Sequence, residues 1–165
     1  MLMIKKNGMT LIEILVAVAI VAILAAGLYS VSNYVETQAK IKLTESTIEI
    51  LTGALEQYYD FYGSFPDPNA TYPAGCDLPV EKLYYKLTLA PEAKKILNQI
   101  KPSLIVNVNT NESPAKIFPE VVDAWGTAMK YDYIKNTVQQ DNFPVITSAG
   151  PDKDFNKTDD NLTSR

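Results

Sequence analysis

Aspartates crowd the C-terminal end of this chain. Asp152, Asp154, Asp159 and Asp160 fall within nine residues of one another. Carboxylates packed this closely repel one another, and a hard divalent cation relieves that repulsion. Because the chain has one cysteine and no histidine, the ligands would all be oxygens, which favours Ca²⁺ over transition metals. The sequence therefore predicts a calcium-binding loop over 148–161, with a disordered acidic tail as the alternative.

One familiar calcium-binding pattern, the EF-hand loop, fits this segment poorly. Its odd-numbered ligand positions would fall on Asp152, Asp154, Asn156, Thr158 and Asp160. However, Lys157 replaces the glycine that the sharp turn requires, and Thr163 stands where the bidentate glutamate belongs. The loop is therefore expected to bind calcium in another geometry.

A second ionisable group with possible chemistry is Glu13, at the start of a long apolar segment. No charged side chain occurs from Ile14 to Val35, which is long enough for a helix to cross a bilayer. A carboxylate at that position is expensive to bury, so it predicts a functional site in which Glu13 has a partner to be identified. Gly8 and Glu13 precede the apolar core, whereas an ordinary signal peptide has a shorter core and its cleavage site follows it.

One long helix is expected to carry Glu13. The range 9–35 is predicted to be its hydrophobic transmembrane part, and 36–63 its amphipathic part. The second part has one apolar stripe at helical period, which we expect to pack on the globular domain. Its members are Ile41, Ile48, Leu51, Leu55, Tyr58 and Tyr62. Gly63 is expected to end the helix.

The remaining residues, 64–165, are predicted to form one small globular head. Within it, 64–120 is a variable loop region that contains two short helical pieces on either side of Pro91. The range 121–165 is predicted to hold an antiparallel sheet and the calcium loop, with strands over Met129–Ile134 and Pro144–Ser148. Trp125 is expected to plug the core, and Asp123 to cap the turn beside it.

Composition excludes several functions. The net charge of −4 becomes −6 without Lys5 and Lys6, and no basic cluster is present, which argues against nucleic-acid binding. The absence of histidine excludes nucleophile–histidine catalysis, so the chain is not expected to be an enzyme. Cys76 cannot form a disulfide within the chain and is expected to be a buried small hydrophobe or an exposed thiol.

The N-terminal segment GMTLIEILVAVAIVAIL resembles the class III signal of type IV pilins and of the pseudopilins of type II secretion systems. The resemblance implies that residues 1–8 are a leader that a prepilin peptidase removes by cutting after Gly8. Met9 would then become the N-methylated first residue. Glu13 would pair with the N-terminal amine of a neighbouring subunit during filament assembly. The implied fold is α+β, with a long N-terminal helix packed on a small antiparallel sheet.

The head resembles the major pseudopilin of type II secretion in two further segments. The first segment begins at Asp123 and reads DAWG, followed by MKYDYI from Met129. In the second segment, Ser148, Gly150 and Asp152 precede an aspartate pair at the family's spacing. The resemblance implies that calcium is held by the carboxylates and backbone carbonyls of Asp152, Asp159, Asp160, Ala149 and Phe155. No such resemblance covers 67–120.

Together these resemblances imply a structural filament subunit of a type II secretion system. It would be a single-pass inner-membrane protein with its C-terminal domain in the periplasm, surrounded by lipid before assembly. Its expected partners are further copies of itself, prepilin peptidase, minor pseudopilins and the inner-membrane assembly platform. The alternatives are a major or minor subunit of a type IV pilus, or a bitopic membrane protein whose calcium-dependent domain binds a ligand.

Overall fold

The computed structural model describes residues 9–73, 75–106, 118–133 and 143–164, and within its first helix the side chains of 27–31 are outside the description. The helices are α1 (Leu11–Tyr62), α2 (Pro79–Leu89) and α3 (Pro91–Leu97), followed by a 3₁₀ turn at Pro102–Leu104. The strands are β1 (Ile105–Val106), β2 (Glu120–Val121), β3 (Lys130–Asp132), β4 (Val145–Ser148) and β5 (Leu162–Thr163). The chain divides into two compact units, Met1–Gln38 and Ala39–Arg165.

In the second unit, one face of α1 lies in the hydrophobic core. The buried residues of this face are Thr44, Thr47, Ile48, Leu51, Ala54, Leu55 and Tyr58. The predicted apolar stripe is therefore confirmed at its four central positions. It is wrong at Tyr62, which is 47% exposed and packs against the Tyr58 and Phe61 rings of the same helix.

Two threonines share this buried face, which an apolar pattern does not reveal. The Thr47 hydroxyl donates a hydrogen bond to the Leu43 carbonyl at 2.7 Å, within the helix. The Thr44 hydroxyl accepts one from the backbone N–H of Ala124 at 3.1 Å. A buried hydroxyl is tolerated when it is hydrogen-bonded, and the second bond fastens the helix to the turn before β3.

Local signals set the ends of the helices, and those at Gly63 and Pro91 were predicted. Gly63 has φ of +71°, and its N–H donates to the Tyr59 carbonyl at 2.7 Å, which ends α1. Pro79 and Pro91 occupy the first turns of α2 and α3, where a missing N–H costs nothing. The buried Glu81 carboxylate accepts hydrogen bonds from the N–H groups of the two residues before α2, each at 2.9 Å.

Among the described residues, the strands form two small antiparallel sheets. β1 pairs with β2, placing Ile105 opposite Val121. The second sheet has the order β3-β4-β5, with Tyr131 opposite Ile146 and Ser148 opposite Leu162. The predicted α+β fold, a long helix packed on small antiparallel sheets, is confirmed. The predicted strands over 129–134 and 144–148 are confirmed in their central residues, whereas β5 was not predicted.

Two predictions about single residues have different outcomes. Trp125 is only half-buried and does not belong to the core cluster, so its predicted role as a core plug is wrong. The neighbouring core positions are filled by Val122, Met129 and Ile146. Cys76 is a buried free thiol, and burial raises its pKa to about 11.

Candidate functional site

The N-terminal candidate site is described from Met9 onwards, and Gly8 lies outside the described residues. Met9 is exposed, and α1 begins two residues later. One carboxylate oxygen of Glu13 accepts hydrogen bonds from the backbone N–H and the hydroxyl of Thr10, at 2.7 and 2.9 Å. In return, the Glu13 N–H points to the Thr10 hydroxyl at 3.4 Å.

This reciprocal arrangement is a capping box, in which the first residue before a helix and the third residue within it satisfy each other. Within one chain, the Glu13 carboxylate therefore stabilises the start of its own helix. The Thr-x-x-Glu spacing was available in the sequence, but the sequence analysis did not use it. The expected pairing of Glu13 with another subunit stays a prediction.

Around and after Glu13, the first unit exposes a helix whose large aliphatic side chains lie on all sides. Leu11 is 82% exposed, and large aliphatic side chains remain exposed as far as Leu24. An exposed surface of this kind marks a region that is covered by lipid or by another protein. Within the described part of the chain, none of the helices has an apolar stretch of the length that crossing a membrane requires. The predicted transmembrane range, 9–35, includes 27–31, whose side chains are outside the described part.

The acidic loop lies between β4 and β5, which pair at its two ends. Ser148 opposes Leu162 in this pairing, so the loop is the connection of a β-hairpin. Gly150 is buried with φ of +71°, and a Cβ built on it would lie 2.3 Å from the backbone carbonyl oxygen of Asp160. Only a glycine permits this close approach of the two ends of the loop.

Asp123 anchors the base of this hairpin from the turn before β3. One of its carboxylate oxygens accepts the N–H groups of Trp125 and Thr127, each at 2.9 Å. The other accepts the Ser148 hydroxyl at 2.7 Å, and that hydroxyl accepts the Gly150 N–H at 3.1 Å. The predicted capping role of Asp123 is confirmed. Its link to Ser148, which the sequence analysis missed, ties the acidic loop to the core.

Within the loop, Asp152, one of the three predicted acidic ligands, and the additional Asp154 form contacts with the loop itself. Asp152 accepts the Asp154 N–H at 2.8 Å and lies 3.3 Å from the ammonium group of Lys157. Asp154 accepts the backbone and side-chain N–H groups of Asn156, and the backbone hydrogen bond lowers its pKa. Asp159 is exposed. Across the described ranges, no three acidic, histidine or cysteine side chains form a group that could hold a metal ion.

The oxygen atoms of the loop nevertheless fit a hard cation chemically. Ala149 is buried beside Gly150, and the Phe155 carbonyl accepts the Asn161 side-chain amide at 3.3 Å. The Asn161 side-chain oxygen is buried without a hydrogen-bond partner in the described structure. A buried oxygen of this kind calls for a proton donor or a cation. Asp160, with its neighbour Asp159, would supply carboxylates at the same end, so calcium binding stays a prediction.

Comparison with known proteins supports the N-terminal site. Residues 3–29 match the family model described as the prokaryotic N-terminal methylation motif, and this range contains Gly8, Met9 and Glu13. No curated protein and no solved structure is significantly similar to the chain. The motif supports a type IV pilin-like protein, which implies processing by prepilin peptidase, assembly into filaments and an N-terminus anchored in a membrane.

Proposed function

We propose that this chain is a structural subunit of a type II secretion filament, comparable to a major pseudopilin. The observation that carries the proposal is the methylation motif over residues 3–29, in which a glycine, a glutamate and an apolar helical segment follow one another in that order. Prepilin peptidase would cut after Gly8 and methylate the new amine of Met9. The processed chain would then polymerise with copies of itself, with minor pseudopilins and on the inner-membrane assembly platform.

The exposed apolar surface of α1 would be covered by lipid before assembly and by neighbouring helices in the filament. Before assembly, lipid would cover the side chains from Leu11 to Leu24. During assembly, the helices of neighbouring subunits would replace the lipid. Packing of identical helices through two different faces produces an open helical filament. The head formed by Ala39–Arg165 would remain on the periplasmic side.

Glu13 would gain a second partner during assembly. In a single chain its carboxylate caps its own helix through Thr10. In the filament it would also face the amine of Met9 of a neighbour, because an ammonium and a carboxylate tolerate an apolar surrounding only as a pair. The pairing would set the register between neighbouring helices.

Processing is tested by mass spectrometry of the full chain co-expressed with a prepilin peptidase. The expected product begins at Met9 and carries one additional methyl group. The variant Gly8→Val should remain uncleaved, while Lys6→Gln, a change within the leader but away from the cut, should be processed normally. Recovery of only the intact precursor from wild-type cells would refute the proposed processing.

The role of the Glu13 charge is tested with two variants that differ in capping. Glu13→Gln keeps a side chain that can cap the helix, whereas Glu13→Ala removes both the cap and the charge. If assembly needs the ion pair, both variants should insert in the membrane and neither should form filaments. Normal filaments from Glu13→Gln would show that assembly requires only the helix cap. They would refute the proposed pairing of Glu13 with the Met9 amine of a neighbour.

The calcium loop supports the secretion system over a pilus, because its pattern resembles that of the major pseudopilin. The detergent-solubilised full chain should melt at a higher temperature with calcium than with a chelator, since a cation that binds only the folded loop stabilises it. The double variant Asp159→Asn/Asp160→Asn should lose this difference, and Asp132→Asn, outside the loop, should keep it. Identical wild-type melting curves with and without calcium would show that the loop binds no calcium. The calcium-based preference for a secretion system would then be refuted.

A further inference from the structure

The second unit carries an open groove of about 620 Å³ along the exposed side of α1, which we name the acidic groove. Glu45, Glu49 and Glu56 line it from the helix, and residues 162–164 line it from the end of β5. The spacings of four and seven residues place the three glutamates on one face of the helix. The groove is therefore a continuous acidic strip beside a strand.

Two of these glutamates have no cationic partner among the described residues. Glu45 lies 3.7 Å from Lys42, but in the described part of the chain neither Glu49 nor Glu56 forms an ion pair. Thr52 and Gly53 also line the groove, and because both residues are small they leave space within it. A Cβ on Gly53 would touch only Ile96, at 4.0 Å. The groove thus has room for a projecting side chain with a positive charge.

The strand that borders the groove is an edge strand. In the three-stranded sheet, β5 pairs with β4 through Thr163 opposite Thr147 and is the last strand in the order. The open side of an edge strand offers unpaired backbone groups to another chain. Charge and backbone hydrogen bonds are therefore available along the same groove.

A positively charged projection lies on the other flank of the same unit. Lys101, Pro102 and Ser103 are all exposed, and the neighbouring residues Ile100 and Leu104 are buried. The buried residues hold this short segment, which we name the Lys101 turn, on a rigid base. Among the described residues, Lys101 forms no ion pair.

The position of the Lys101 turn relative to α1 follows from a second groove, of about 400 Å³, which Lys101 borders together with Leu43 of α1. Leu43 and Thr52, which lines the acidic groove, are nine residues apart, or about two and a half turns, so they point to opposite sides of the helix. The acidic groove and the Lys101 turn therefore lie on opposite flanks. They cannot neutralise each other within one chain.

We propose that the acidic groove binds the Lys101 turn of a second copy of this chain. Two different surfaces on opposite flanks make a heterologous contact, which can repeat from copy to copy without closing. The contact would fix the heads of successive subunits and adds to the helix packing of the proposed filament function, on which this inference rests. Charge complementarity between exposed groups sets partner and register more than affinity.

A zero-length carbodiimide cross-linker tests the contact directly, because it joins an amine to a carboxylate only when the two touch. A mixture of isotopically labelled and unlabelled full chains, in membranes or detergent, should yield mixed-label peptides that join Lys101 to Glu49 or Glu56. Lys130, another exposed lysine, serves as the internal control. Inter-chain products that involve Lys130 as often as Lys101, or no Lys101 product at all, would overturn the proposal.

Charge reversal provides the functional test in cells that form filaments with the wild-type chain. Glu49→Lys and Lys101→Glu should each reduce the filament fraction about tenfold, because like charges then oppose each other across the contact. The double variant should restore it, and Glu92→Lys, an exposed reversal outside both surfaces, should have no effect. Normal assembly of both single variants would refute this contact while leaving the filament function intact. Absence of filaments from the cleaved wild-type chain would instead refute the filament function.

Discussion

The close approach at Gly150 leads to a prediction with built-in controls. A methyl group at this position meets the Asp160 carbonyl oxygen at 2.3 Å and its carbon at 3.1 Å. These are backbone atoms of the partner end of the hairpin, so they cannot yield by rotating a side chain. Gly63 and Gly126 also have positive φ, of +71° and +82°, but nothing lies within 4 Å of a Cβ built on either.

The three alanine variants therefore separate backbone strain from steric conflict. Gly63→Ala and Gly126→Ala should each cost only the strain of a left-handed residue, about 1–2 kcal/mol. Gly150→Ala should cost the same strain and, in addition, the displacement of the Asp160 backbone from the β4–β5 hairpin. We expect a total of at least about 3 kcal/mol, in the range of the severe single substitutions.

The assay is thermal unfolding of the detergent-solubilised full chain, followed by the fluorescence of Trp125, the single tryptophan. For a head of this size, each kcal/mol lowers Tm by about 4 °C. The two control variants should therefore melt about 4–8 °C below wild type, and Gly150→Ala at least about 12 °C below it. If Gly150→Ala melts at the same temperature as the two control variants, the two ends of the loop do not approach as described. The predicted steric conflict with Asp160 is then refuted.

Three further predictions concern buried polar groups of the head. In a urea titration, Thr44→Val should lower the free energy of unfolding by about 1–3 kcal/mol, because it removes the hydrogen-bond acceptor of the half-buried Ala124 N–H. Thr52→Val loses only a bond within its own helix and should cost less in the same titration. Burial raises the pKa of Glu120, whose side chain is 3% exposed and has one carboxylate oxygen without a partner in the described structure. The wild-type chain should therefore lose stability as the pH rises through that pKa. Glu120→Gln should remove this loss of stability, so the variant should melt at or above the wild-type temperature at pH 7 and below it at pH 4. A variant that melts below wild type at pH 7 and above it at pH 4 would contradict the assigned cause. The buried thiol of Cys76, with a pKa of about 11, should react with a maleimide at pH 7 only after unfolding, and labelling of the folded chain within minutes would show that it is accessible.

The sequence by itself determined the features that depend on neighbouring residues. The helical period of apolar residues located the buried face of α1 at Ile48, Leu51 and Leu55, because a helix places such positions on one side. Gly63 ended that helix and Pro91 began α3, because their backbone geometry acts within a single turn. The N-terminal signal was likewise readable as a linear motif.

Only the tertiary structure decided which distant groups meet. The bond from Ala124 to Thr44 joins residues 80 positions apart, and the bond from Ser148 to Asp123 joins residues 25 apart. Neither contact leaves a periodic pattern in the sequence. Trp125 was misjudged for the same reason, since residue type alone does not state which neighbouring side chains already fill the core.

The acidic loop shows how the two sources of information divide. Its aspartates and their spacing were visible in the sequence, and they predicted an oxygen-rich site for a cation. That the loop is closed by β5, held by Asp123 and drawn tight at Gly150 required the fold, because a two-residue strand has too few residues to form a pattern. Local chemistry is thus written in the order of the residues, whereas burial and long-range hydrogen bonds arise only when the chain has packed.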